Sequence, residues 1–132
     1  MSPSGTEFPH VILGAGGHAR SLLGLLTACG RQVAGCIAHT PPAAGWPEDC
    51  PWLGDDVAFA ALDPARVVLV VGLGSVGFTD QRRAVYVDAR ARGFSFPVLV
   101  HPSAILAPGV KLAEGTQVLA GAILQAGVVV AE

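Results

Sequence analysis

Apolar residues follow two different periods along this chain. Over roughly the first hundred residues, short apolar runs alternate with stretches of helical spacing; past residue 102 the apolar positions recur at every sixth place. Val11-Ile12-Leu13 is a short apolar run that ends in Gly14-Ala15-Gly16-Gly17, and residues 19–29 then repeat Leu22, Leu23, Leu25 and Leu26 at helical spacing. Gly30 predicts the end of that helix. Residues 32–37 predict a second strand, and 39–51, with four prolines and a tryptophan, an irregular loop. Asp55 or Asp56 is placed to cap a short helix through Leu62, because a carboxylate there accepts free amide protons of the first turn. Residues 66–71 are nearly all β-branched, which suits a central parallel strand covered on both faces. Gly72-Leu73-Gly74-Ser75-Val76-Gly77 follows. Thr79 can then cap a helix carrying Arg82, Arg83, Tyr86 and Val87 and closing at Gly93, before a strand over 96–100.

Strand, glycine turn and helix thus occur twice, and such alternation gives a parallel sheet with right-handed crossovers. The expected fold class is α/β, with a Rossmann-like domain over residues 1–97 whose sheet begins near residue 8.

Residues 98–132 obey another rule. Glycines stand at 109, 115, 121 and 127, and Leu106, Leu112, Val118, Leu124 and Val130 keep the same step. Two places before each aliphatic lies a small or β-branched residue: Ala104, Val110, Thr116, Ala122 and Val128. A six-residue step fits a triangular solenoid in which each flat side uses one hexapeptide, the aliphatic points to the axis and glycine turns the corner. The pattern therefore predicts the first, incomplete coils of a left-handed parallel β-helix, rather than ordinary glycine-rich hairpins. Repeats of this kind bury their core only by stacking, and about three are needed for stability. Fewer than two coils fit into 102–132, so a truncated chain, or a second chain covering the apolar end, is expected.

Composition narrows the function. Hydrophobic residues make up 52% of the 132, enough for a core. Eight Lys and Arg against ten Asp and Glu give no basic field for a phosphate backbone, which argues against nucleic acid as partner. Cys29, Cys36 and Cys50 lack the close pairing of zinc or redox sites, so no metal is expected and the thiols read as reduced packing residues of a cytoplasmic protein. No leader pattern opens the chain, and every apolar run is interrupted before membrane-spanning length.

Three motifs in order carry a resemblance: Gly14-Ala15-Gly16-Gly17-His18-Ala19-Arg20 after the first strand, Val71-Gly72-Leu73-Gly74-Ser75 after a later one, and His101-Pro102-Ser103-Ala104 leading into hexapeptides. Together they resemble the sialic-acid O-acetyltransferase family, which includes N-acetyltransferases acting on UDP-4-amino sugars. The resemblance spans nearly the whole chain. It implies an acetyl-CoA-dependent sugar acetyltransferase that is a homotrimer in its intact form, with the nucleotide sugar on the N-terminal domain and acetyl-CoA between neighbouring β-helices, beyond Glu132. It also implies that Gly16, Gly17 and His18 line the nucleotide-sugar site, with Gly72, Leu73, Gly74 and Ser75 opposite. After the second strand, where such proteins usually carry acidic residues that contact the nucleoside, this chain has Ala38 and His39. The family's catalytic histidine belongs to a coil beyond Glu132, which leaves this chain as the sugar-binding half, without acetyl transfer of its own.

The residues themselves leave alternatives. Gly14-x-Gly16-x-x-Ala19 also fits a dinucleotide fingerprint, though an NAD enzyme would add an acid after the second strand where Ala38 and His39 stand. A glycine turn serving packing alone, within a non-catalytic nucleotide-binding or assembly module, is the other reading. His18 could donate to a phosphate or sugar oxygen or simply start a helix. His39 is a ligand candidate or a loop residue, and His101, before a proline, reads as structural. Arg82 and Arg83 could reach a phosphate or lie on a solvated helix face.

Overall fold

A computed structural model describes residues 8–72 and 79–130, with backbone alone for 79–82 and 130. The first apolar run forms β1 (His10–Leu13), all four residues buried. It pairs in parallel with β2 (Val33–Ile37) on one side and β4 (Val68–Val71) on the other, and a short β3 (Trp52–Gly54) joins β2, giving the order β3-β2-β1-β4. Period-two alternation sorts the strand residues between two cores. Ile12, Cys36 and Val70 face the leucines of α1 (Gly17–Ala28), whereas Val11, Leu13, Ile37, Leu69 and Val71 pack with Phe94, Phe96 and residues of α2 (Asp56–Ala60) and α3 (Thr79–Ala91). Helices therefore cover both faces of the sheet. Leu22, Leu25 and Leu26 of α1 are essentially inaccessible, and burial of each stabilises by roughly 1.5–3 kcal/mol.

Two expectations are corrected, and one strand is new. The strand at Trp52 was not foreseen: it is three residues long, follows a proline and leaves Trp52 and Leu53 exposed, so no alternation marks it. β4 is buried on both faces as expected but is not central; β1 is, and on the outer side of β4 no further strand pairs among the described residues, where Leu69 N donates instead to Ser95 O, at 3.1 Å. Of residues 96–100, only β5 (Leu99–Val100) is strand, and it pairs outside this sheet.

The six-residue step becomes a three-sided winding. β5, β6 (Ile105–Leu106) and β7 (Lys111–Leu112) pair in parallel with β8 (Gln117–Val118), β9 (Ile123–Leu124) and β10 (Val129–Val130), respectively. Leu99 meets Gln117, Ile105 meets Ile123 and Lys111 meets Val129, so each residue lies over the one eighteen places ahead, three hexapeptides later. This arrangement is compatible with the start of a β-helix. Gly109, Gly115, Gly121 and Gly127 have φ of 85°, 82°, 76° and 80°, a left-handed conformation that costs a residue with a Cβ roughly 1–2 kcal/mol. That explains why glycine recurs there. Thr116 and Val118 are buried, but Leu106, at an equivalent inward place, is 37% exposed because little stacks on it.

One side of this winding rests on the sheet region. Leu99 is buried among the leucines of α1. Glu114 accepts from Phe96 N at 3.0 Å and pairs with Arg90 of α3, and the Tyr86 and Phe96 rings lie 4.4 Å apart beside Gly115. The other two sides leave Ile105, Ile123 and Val129 more than half exposed.

Candidate functional site

A cleft of about 810 Å³ opens where β1 and β2 end, at Leu13 and Ile37. Parallel sheets present ligands there, outside the carboxyl ends of strands and beside the reversal of strand order, here between β1 and β4. The floor is Gly14, Ala15 and Gly16; the loop from Ala38 to Ala43 forms one wall, and side chains of α2 and α3 the other.

The two helix starts near this cleft differ chemically. α2 is capped: the Asp55 carboxylate accepts from Val57 N at 3.0 Å. α1 begins at Gly16 with no side-chain cap and no acidic residue in its first turn. Its first amides are thus left for another acceptor, and the helix dipole adds a partial positive charge, which together favour an anion.

The glycines of the two turns also part company. Gly14 has φ of 120°, which lets the chain turn off β1. A Cβ added at Gly16 or Gly17 would meet no atom of the described residues within 4 Å, so none of these requires glycine there. Gly72 is the opposite: a Cβ would come within 2.9 Å of both Ala19 and Ile12, and its N–H donates to Leu13 O at 2.8 Å. It packs β4 against α1 and is not on the cleft wall. Leu73, Gly74 and Ser75 lie outside the described residues, as does the side chain of Arg82. Arg83 is exposed. His18, half-buried in the first turn of α1, hydrogen-bonds through Nε2 to Gln117 Oε1 at 3.2 Å, and Gln117 Nε2 donates to Val71 O at 3.0 Å.

His39 does line the cleft, with Nδ1 3.9 Å from an oxygen of Asp56. The aspartate pair is therefore divided: Asp55 caps the helix, while Asp56 brings a carboxylate to the end of β2. Arg92 is a wall residue that the motifs did not reveal. Its guanidinium sits 4.9 Å above the Phe59 ring and its Nε 3.2 Å from Asp88, so it is already held by an aromatic face and an acid. It sits at the far end of α3, remote in sequence from either glycine turn.

No thiol nucleophile is offered. Burial pushes the Cys36 thiol up and Cys50 up to about 12, far from the thiolate needed for attack. Cys29 donates to Val100 O at 3.3 Å. Among the described residues no group of three or more His, Cys, Asp or Glu could hold a metal, and no helix is long and apolar enough to cross a membrane. His101 is occupied as well: its Nδ1 accepts from Ser103 N at 3.0 Å, and Ser103 Oγ accepts from Gly121 N at 2.9 Å, tying one coil to the next.

Solved structures share both halves of this arrangement. PerB from Caulobacter crescentus, in complex with CoA and GDP-perosamine, is 34% identical over 97% of this chain, with a TM-score of 0.80. The acetyltransferase domain of PglB from Neisseria gonorrhoeae FA1090, in complex with acetyl coenzyme A, is 30% identical over 92% of this chain, with a TM-score of 0.76. These likenesses are to acetyltransferase structures. This chain spans 59% of the length of the first of these acetyltransferase chains and 57% of the second. A variant of perosamine N-acetyltransferase from Caulobacter crescentus, also in complex with CoA and GDP-perosamine, matches equally well, at 34% identity over 97% of this chain and 59% of its own, with a TM-score of 0.81. No protein-family model and no curated protein sequence matches.

Proposed function

We propose that this chain is the nucleotide-sugar-binding part of an acetyl-CoA-dependent sugar acetyltransferase, with a Rossmann-like domain over residues 1–97 and the first coils of a left-handed β-helix over 98–132. The observation that carries the reading is a coincidence of likeness and geometry. Acetyltransferase structures align along nearly the whole chain, two of them in complex with GDP-perosamine, and the aligned region contains an open cleft at an uncapped helix start. The diphosphate takes the free amides of α1, next to Gly16 and Gly17, where no side chain obstructs its approach. The nucleoside lies toward the end of β2, where Asp56, beside His39, supplies a carboxylate that Ala38 and His39 do not. The sugar extends toward His18 and the winding.

An amino sugar is the favoured acceptor, since PerB is in complex with GDP-perosamine and a perosamine N-acetyltransferase is among the matches. Acetyl-CoA, when bound, supplies the acetyl group as a thioester. Transfer needs a general base to take a proton from the acceptor and preformed donors for the thioester oxyanion. His101 is not that base, because its Nδ1 is engaged by Ser103. The base belongs to coils outside the described residues, so these residues alone bind without turning over acetyl-CoA. In the intact protein the exposed Ile105, Ile123 and Val129 suit contacts within a homotrimer.

Calorimetric titration with GDP-perosamine and with a UDP-4-amino sugar tests the reading. Binding of at least one is expected, and Gly17→Val should weaken it at least about tenfold while the thermal midpoint stays nearly constant, since the added side chain meets only ligand space. A wild-type chain that binds no nucleotide sugar, or a valine variant that binds as well as wild type, overturns it.

A further inference from the structure

Gln117 projects from β8 at a junction of three segments: the end of β4, the first turn of α1 and the winding. Its side chain has only one consistent orientation there. The Val71 carbonyl accepts and cannot donate, so the amide nitrogen of Gln117 must face it, at 3.0 Å. The amide oxygen then faces His18 Nε2, at 3.2 Å, and an amide oxygen also only accepts. Nε2 must therefore carry the proton. A neutral imidazole has one N–H, which leaves Nδ1 bare, and among the described residues Nδ1 has no partner.

We infer that Gln117 is a positioning residue: it holds His18 as the Nε2–H tautomer and so makes Nδ1 an acceptor for an amine or hydroxyl donor on the sugar of the nucleotide sugar. This rests on the reading of the cleft given above. It revises the expectation that His18 donates to a phosphate or sugar oxygen, because the neutral ring has no second N–H to give once Gln117 takes the first. Ile105, Lys111, Ile123 and Val129 occupy the equivalent places of the other hexapeptides, and none could act as amide donor and acceptor together.

The test reads the ring nitrogens of His18 by nitrogen NMR in the whole chain, with His18→Gln to assign them, alongside titration with GDP-perosamine and with GDP. Wild type should show one tautomer, protonated at Nε2. Gln117→Leu should give a tautomer mixture and weaken GDP-perosamine about fivefold, the scale of one neutral hydrogen bond, with GDP unchanged. Gln117→Glu keeps an acceptor toward Nε2–H, so it should retain the tautomer and the sugar selectivity. An unchanged tautomer in Gln117→Leu, or equal losses for GDP and GDP-perosamine, overturns the inference. Wild type that shows the expected tautomer but binds neither GDP-perosamine nor a UDP-4-amino sugar instead sinks the functional reading, and the sugar contact with it.

Discussion

The two glycine turns of this chain look alike in sequence and do opposite things in space. After β1, Gly16 and Gly17 leave room that no atom of the described residues fills and a helix start that none of their side chains caps. After β4, Gly72 is glycine because Ala19 and Ile12 occupy the place of its Cβ. A glycine-rich turn is therefore two kinds of object, an opening for something outside the chain or a close approach within it. Only the identity of the neighbour tells them apart.

That contrast can be broken by substitution. Gly72→Val forces a side chain into a packed junction and should cost about 3 kcal/mol or prevent folding, read as a fall in the thermal midpoint; a variant as stable as wild type removes the packing role. Gly17→Val, the counterpart, should lose roughly 1.4 kcal/mol or more of ligand affinity at little cost in stability. Gly16→Asp sharpens the difference because its effects have opposite signs. A carboxylate at the start of α1 should stabilise the fold by about 0.5 kcal/mol while repelling the diphosphate, so the melting point rises as nucleotide affinity falls. If both move the same way, the helix start is not the anion site.

The smallest effect concerns the strand that carries the first turn. His10 is fully buried at the head of β1, its Nδ1 3.1 Å from Gln32 O, and burial holds its imidazole below the ordinary value of 6.5. The unfolded chain takes up that proton more readily than the folded one. Stability is therefore whole above pH 6.5 and is lost as pH falls below it toward the depressed value. His10→Asn should flatten the acid side of a plot of thermal midpoint against pH; an unaltered slope would place the dependence elsewhere.

Much of this was legible from local pattern. The alternation of β1, α1, β2 and β4 follows from short apolar runs and leucine spacing, and the six-residue step gives the eighteen-residue coil directly. The Asp55 cap was within reach for the same reason, since a cap bonds two residues away. What sequence did not yield depends on distant partners. Glycine reports only a missing side chain, so the division between Gly17 and Gly72 needs the position of Ala19 and Ile12. Arg92 reaches the cleft from the far end of α3, where no motif marks it. Gln117 sits in a repeat whose sides look equivalent until one of them rests on the sheet.

Self-similarity creates a problem of registration. A winding that repeats every six residues offers nearly the same surface after sliding by one unit, so aliphatic packing alone would let it settle on the sheet in more than one way. Glu114 and Gln117 remove that degeneracy. One step in either direction would present Pro108 and Lys111, or Ala120 and Ile123, to the partners that those two side chains now satisfy. Two polar residues in a single hexapeptide thus act as an index mark, selecting one alignment from a set that the repeat itself cannot distinguish.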